Sequence, residues 1–249
     1  NFNSMIDKLK IQQDKLILSE RHAAWENVAR KLAHEIKNPL TPIQLSIDRL
    51  REKYLNKIGE DSKSFTSYLD TMNKQIKYIE HLVNEFSDFA RMPKPVMKKI
   101  NLNKIIIGVY KLNELSEPNI KFTFSENNSK SYINGDEGQF NRVIINLIKN
   151  SIESIYEKRS KNVDFKAKIN IDIKQDSDYI YLTILDNGVG FDQIDKAKMP
   201  APYFTTKKKG TGLGLAIVTK IISDHNSFIA FNSINDGAEV KITVPRYYG

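Results

Sequence analysis

The chain has 249 residues, 40% of them hydrophobic and 27% charged, the balance of a folded protein and not of a disordered tail. It has no cysteine, which excludes a disulfide framework and thiolate metal sites and suits a reducing compartment. The net charge of +8 comes from lysines spread from Lys8 to Lys241 among acidic residues. No basic and aromatic stripe accompanies them, so a lysine-rich solvated surface is expected rather than a nucleic-acid interface, with an acidic protein partner the next explanation of the charge.

Residues 1–22 carry Phe2, Met5, Leu9 and Leu16 at coiled-coil-like spacing, the pattern of a signalling helix entering from a longer protein. A helical pattern follows, with Trp25, Val28, Leu32, Ile36, Leu40, Ile43, Ile47, Leu50 and Tyr54 on one side. Residues 56–64, with Gly59, read as a turn. A second helix shows Phe65, Leu69, Met72, Ile76, Ile79, Val83 and Phe86 in alternating fours and threes. Two such helices make an antiparallel hairpin whose apolar seam is too long to bury within itself. A homodimer forming a four-helix bundle is therefore expected over residues 23–92.

Pro93 and Pro95 oppose continued helix and mark a linker. Beyond it, over residues 97–249, helices and strands mix. The pattern predicts a helix over 102–115 capped by Asn101, strands near 121–125 and 132–134, and a long helix over 137–158. A hairpin over 169–174 and 179–185, a helix over 213–223 and strands near 227–233 and 239–244 complete an α+β sandwich. The longest apolar runs, such as 143–148 interrupted by Asn146, are too short for a membrane span.

Four segments carry chemistry. The first, on the first helix, is Ala33-His34-Glu35-Ile36-Lys37-Asn38-Pro39. An imidazole titrates near neutrality, so a nucleophilic fraction is present at physiological pH; a surface histidine of the bundle with no chemical role is the other reading. Glu35 is expected to accept the other ring N–H and take up the proton released on attack. Asn38 lies one turn on, where its amide can orient a water, and Pro39 and Pro42 are expected to bend the helix. The second segment places Asn146 and Asn150 one turn apart on the long helix, where amide oxygens suit Mg²⁺ held against a triphosphate. Exposed asparagines on helices are also common. The third, Asp186-Asn187-Gly188-Val189-Gly190, follows a strand. Its carboxylate can accept from an exocyclic amine while Gly188 and Gly190 admit a flat base; a turn or a calcium-type loop fits equally.

The fourth segment runs from Pro202-Tyr203-Phe204-Thr205-Thr206-Lys207 into Gly210-Thr211-Gly212-Leu213-Gly214 and a helix, where backbone N–H groups can bind phosphate. It lacks the Lys-Ser/Thr of a P-loop and the strand of a dinucleotide fingerprint. Five of the eleven glycines fall between Gly188 and Gly214, which points to a nucleotide.

In this order, the segments resemble the H, N, G1, F and G2 boxes of sensor histidine kinases, and the similarity covers about residues 22–249. The stretch from Trp25-Glu26-Asn27-Val28 through Leu40-Thr41-Pro42-Ile43-Gln44 is similar to the NtrY type of nitrogen-regulation sensor. The resemblance implies a helical hairpin dimer followed by an ATP-binding α/β sandwich of the gyrase–Hsp90–histidine kinase–MutL superfamily. It implies that His34 takes the γ-phosphoryl group of ATP and passes it to an aspartate of a response regulator, NtrX-like for such a kinase. Asn38 matches the position that helps water dephosphorylate the regulator. Asp186 matches the adenine-binding aspartate, and Asn146 and Asn150 match the Mg²⁺–phosphate asparagines. A lid between Phe191 and Thr211 is then expected to close on ATP, and the segment from Phe204 to Gly214 falls at the F and G2 boxes.

Many members carry Lys or Arg three residues after the second asparagine, where this chain has Glu153; Lys149 or Lys207 is the candidate replacement. Hydrolytic members of the superfamily place a carboxylate where Asn146 stands, so transfer to histidine is favoured over an Hsp90- or MutL-type ATPase. A transfer-deficient ATP-binding signalling module is the non-enzymatic alternative. The family further implies the cytoplasmic portion of an inner-membrane protein.

Overall fold

A computed structural model describes residues 31–126, 131–160, 165–191, Met199, 204–205 and 210–248. The chain forms two compact units, residues 1–93 and 94–249. No helix among the described residues is long and apolar enough to cross a membrane.

In the first unit, helix α1 (31–54) runs uninterrupted through Pro39 and Pro42. Backbone bonds from Leu55 to Arg51 and from Lys57 to Tyr54 close it, and Gly59 takes a positive φ of 62° at the turn. A 3₁₀ turn (Gly59–Asp61) leads into helix α2 (Ser62–Ala90). Ala33, Leu40 and Ile47 on α1, and Leu69, Ile76, Val83 and Ala90 on α2, are buried. These positions recur every seven residues, the spacing of a coiled-coil seam. Leu40, Ile47, Leu69 and Ile76 form one cluster with Phe65 against it. The second heptad set stays open: Ile36, Ile43 and Leu50 on α1, with Met72 and Ile79 on α2, are 38–51% exposed. Arg51 and Asp70 form an ion pair that joins the two helices.

The second unit begins with strand β1 (Lys98–Asn101), antiparallel to β3 (Tyr132–Gly135). The sequence gives no sign of β1, because only one of its four side chains, Ile100, points inward. Helix α3 (Leu102–Ser116) follows, and Asn101 accepts from the Lys104 N–H at 3.4 Å, the expected cap. A five-stranded sheet holds β2 (Lys121–Glu126), β4 (Lys168–Gln175), β5 (Tyr179–Asp186), β7 (Gly237–Pro245) and β6 (Phe228–Ile234), in that order. β2 and β4 are parallel; the other neighbours are antiparallel.

Strand alternation puts Ile169, Ile171 and Ile173, Ile180, Leu182 and Ile184, and Val240, Ile242 and Val244 on the buried face. Helices α3, α4 (Glu137–Arg159) and α5 (Gly214–Asp224) cover that face. The other face carries polar pairs such as Thr123–Asn170 and Ser125–Asp172. Each fully buried isoleucine contributes roughly 1.5–3 kcal/mol. A helical hairpin followed by an α/β sandwich is thus the fold expected from the sequence.

Asp136 caps α4, accepting from the N–H groups of Gln139 (3.0 Å) and Val96 (2.9 Å). Burial pushes its carboxyl up, but the N–H groups of Val96, Gln139 and Gly138 outweigh this and hold it below the ordinary carboxylate range.

Candidate functional site

Of the four histidines, His22 lies outside the described residues. His225 is buried: Nδ1 meets the Ile221 carbonyl at 2.7 Å and Nε2 accepts from the Asp136 N–H at 3.0 Å. That network needs a neutral ring with its proton on Nδ1, a structural role. His81 stands 3.4 Å from Glu85 on α2. His34 is exposed on α1, with Asn38 one turn along and also exposed. The expected bond from His34 to Glu35 is not formed; Glu35 faces Lys31 at 3.9 Å instead. Lys31 lies one turn back on the same helix face, the i,i+4 spacing that favours this ion pair.

In the second unit, the site forms where α4 passes over the end of β5. The alternation that buries Ile180, Leu182 and Ile184 brings Asp186 to the same face, beneath α4, with only 6% of it exposed. Ser151 Oγ donates to Asp186 Oδ2 at 2.9 Å, and the Gly188 N–H donates to Oδ1 at 2.9 Å. The Val189 N–H donates to Ser154 Oγ at 3.0 Å, and Lys158 Nζ donates to the Asn187 carbonyl at 2.9 Å while ion-pairing with Asp236. Ser151, Ser154 and Lys158 are spaced i, i+3 and i+7, one stripe of α4; Ser151 holds the last residue of β5, and Ser154 and Lys158 hold the loop after it. Sequence reasoning missed them; a polar stripe at core spacing beside two asparagines is the signal that was available.

The loop is packed to the limit of glycine. A Cβ on Gly188 would lie 2.2 Å from Ser154 Oγ, and one on Gly190 (φ 72°) 2.7 Å from the Gly237 carbonyl oxygen. Gly237, also absent from the sequence reading, has φ 123° and room for no side chain.

Asn146 and Asn150 sit one turn apart on α4, half-buried. Asn146 Nδ2 donates to the Arg142 carbonyl at 2.8 Å, and its Oδ1 lies 3.2 Å from where a Gly214 Cβ would stand. The start of α5 therefore lies against the first asparagine. Gly212 has φ 69°, Thr211 Oγ1 accepts from the Leu213 N–H at 3.3 Å, and no side chain caps α5. Its first-turn N–H groups are the kind that receive phosphate oxygens. Lys149 is exposed, Glu153 and Phe204 are half-buried and Thr205 is exposed. Thr206 and Lys207 lie outside the described residues.

Residues 24–95 match the family described as His Kinase A (phospho-acceptor) domain, and residues 135–248 the family described as histidine kinase-, DNA gyrase B- and HSP90-like ATPase. The chain is 30% identical to the catalytic domain of the histidine kinase ThkA, covering 95% of that structure and 60% of this chain at a TM-score of 0.53. The chain belongs to the sensor histidine kinases.

Among curated relatives of this kinase, it is 38% identical over 92% of its length to the nitrogen regulation protein NtrY of Azorhizobium caulinodans. It is 38% identical over 97% of its length to an NtrY-like sensor histidine kinase of Rickettsia prowazekii. It spans 30% and 39% of those relatives' lengths. The histidine kinase ThkA in complex with the response regulator protein TrrA has the same fold, with a TM-score of 0.64 over 92% of this chain.

Proposed function

We propose that this chain is the autophosphorylating core of an NtrY-like sensor kinase, transferring the γ-phosphoryl group of ATP to His34. The carrying observation is an exposed histidine at the phosphoacceptor position of one unit, in a chain whose second unit assembles an aspartate, paired asparagines and a glycine-rich helix start.

A neutral imidazole nitrogen of His34 attacks the γ-phosphorus, the bond to the β–γ bridging oxygen breaks, and ADP leaves. Glu35, after turning from Lys31, takes the ring proton. Asp186 accepts the exocyclic amine of adenine, with Gly188 and Gly190 letting the base approach. The segment from Gly210 to Gly214 receives the phosphates, Lys149 or Lys207 is the candidate for the positive charge that Glu153 does not supply, and Phe204, Thr205 and Thr206 are further ATP-binding candidates. Asn146 and Asn150 offer the hard oxygen donors that Mg²⁺ prefers, and the place of Asn146 against Gly214 fits such an ion. Mg²⁺ there would neutralise charge on the triphosphate. No carboxylate stands one turn before Asn150, which favours transfer over hydrolysis.

The phosphoryl group then passes to a response-regulator aspartate, of NtrX type by analogy with the relatives, and Asn38 positions water for its later removal. The open heptad set Ile36, Ile43, Leu50, Met72 and Ile79 supports a dimeric four-helix bundle. By the same analogy the chain is the cytoplasmic portion of an inner-membrane protein. Incubation with γ-labelled ATP and Mg²⁺, followed by addition of a receiver domain, tests this reading. A label that forms on the kinase and moves to the receiver is expected, with Asn150→Asp unlabelled; ATP turnover without phosphoprotein would refute it.

A further inference from the structure

We infer that Ser151 is a positioning residue that sets purine selectivity by keeping Asp186 an acceptor-only carboxylate. This rests on the reading of Asp186 as the base-binding group. Ser151 is itself buried, 4% exposed, and its hydroxyl hydrogen points at Asp186 Oδ2 although a helical serine can instead bond the carbonyl one turn back. Gly188 N–H occupies Oδ1 from the other side. Each donated bond favours the ionised form and fixes the plane of the carboxylate.

An ionised, oriented carboxylate accepts from the 6-amino group of adenine and repels a 6-oxo group. A carboxylic acid in the same place donates to a 6-oxo group, as the donor and acceptor roles of the two forms dictate. Ser151 thus acts through Asp186 on the choice between 6-amino and 6-oxo purine triphosphates. Its neighbours on the stripe, Ser154 and Lys158, hold loop backbone and do not touch the carboxylate by these bonds.

The test measures affinities for ATP and inosine triphosphate in the whole chain, comparing the parent with Ser151→Ala and Ser151→Thr. The parent is expected to prefer ATP. Ser151→Ala should lower that preference about tenfold, the scale of one hydrogen bond to a charged group, with ATP weakened and inosine triphosphate held or improved. Ser151→Thr, which keeps the hydroxyl, should restore most of it. Equal weakening of both nucleotides in Ser151→Ala, or no change in either, overturns the proposal. A parent that does not discriminate overturns the Asp186 assignment first, and this inference with it.

Discussion

Gly188→Ala is the perturbation that asks most of the site for the least chemical change. Its new methyl would lie 2.2 Å from Ser154 Oγ, 2.7 Å from the Ser154 carbonyl carbon and 2.8 Å from Ser154 Cβ. The hydroxyl can rotate away, but the carbonyl carbon belongs to α4 and cannot. The loop must retreat by roughly 1 Å to regain ordinary van der Waals separation. That retreat breaks the Gly188 bond to Asp186 and the Val189 bond to Ser154. A bond to a carboxylate is worth about 1.5–3 kcal/mol and a neutral one about 1 kcal/mol, so about 3 kcal/mol of loop order is lost. If binding needs the ordered loop, ATP affinity falls on the order of 100-fold. Titration calorimetry with ATP measures this, with circular dichroism confirming that the sandwich still folds. Adding Ser154→Ala should rescue little, because the helix backbone contact at 2.7 Å remains. ATP affinity within threefold of the parent would refute the reasoning.

Lys158→Met should destabilise the second unit by about 1–2 kcal/mol, mostly through the bond to the Asn187 carbonyl. Asp236 is largely exposed, so Asp236→Asn should cost less than about 1 kcal/mol; thermal unfolding in which the two substitutions cost the same would contradict this division. Ile43→Asp with Ile79→Asp should convert the chain from dimer to monomer in sedimentation equilibrium. A parent that is already monomeric, or a variant that stays dimeric, would show that the open heptad set is not the dimer seam.

Much of this fold could be read in advance because its signals are local. Strict alternation in 179–185 and 169–174 marks a half-buried hairpin, and α2 repeats its apolar residues on a coiled-coil period. Strand β1 escaped because two of its four residues are exposed lysines and its partner, β3, lies more than thirty residues away. Within the site, residue type identified Asp186, the asparagines and the glycines, but not what holds them. Ser151, Ser154 and Lys158 look like ordinary helix residues until the end of β5 is placed beneath them, and Gly237 like an ordinary turn residue. The expected His34–Glu35 contact is not made in this structure because Glu35 is turned toward Lys31, its i,i+4 neighbour.

The most direct measurement is the location of the phosphoryl group after reaction with γ-labelled ATP, in the parent and in His34→Gln. The expected result is an acid-labile, alkali-stable label on the peptide that contains His34, and none in the variant although it still binds ATP. A label that persists in His34→Gln, or that maps to any other residue, would contradict the assignment of His34 as the phosphoacceptor.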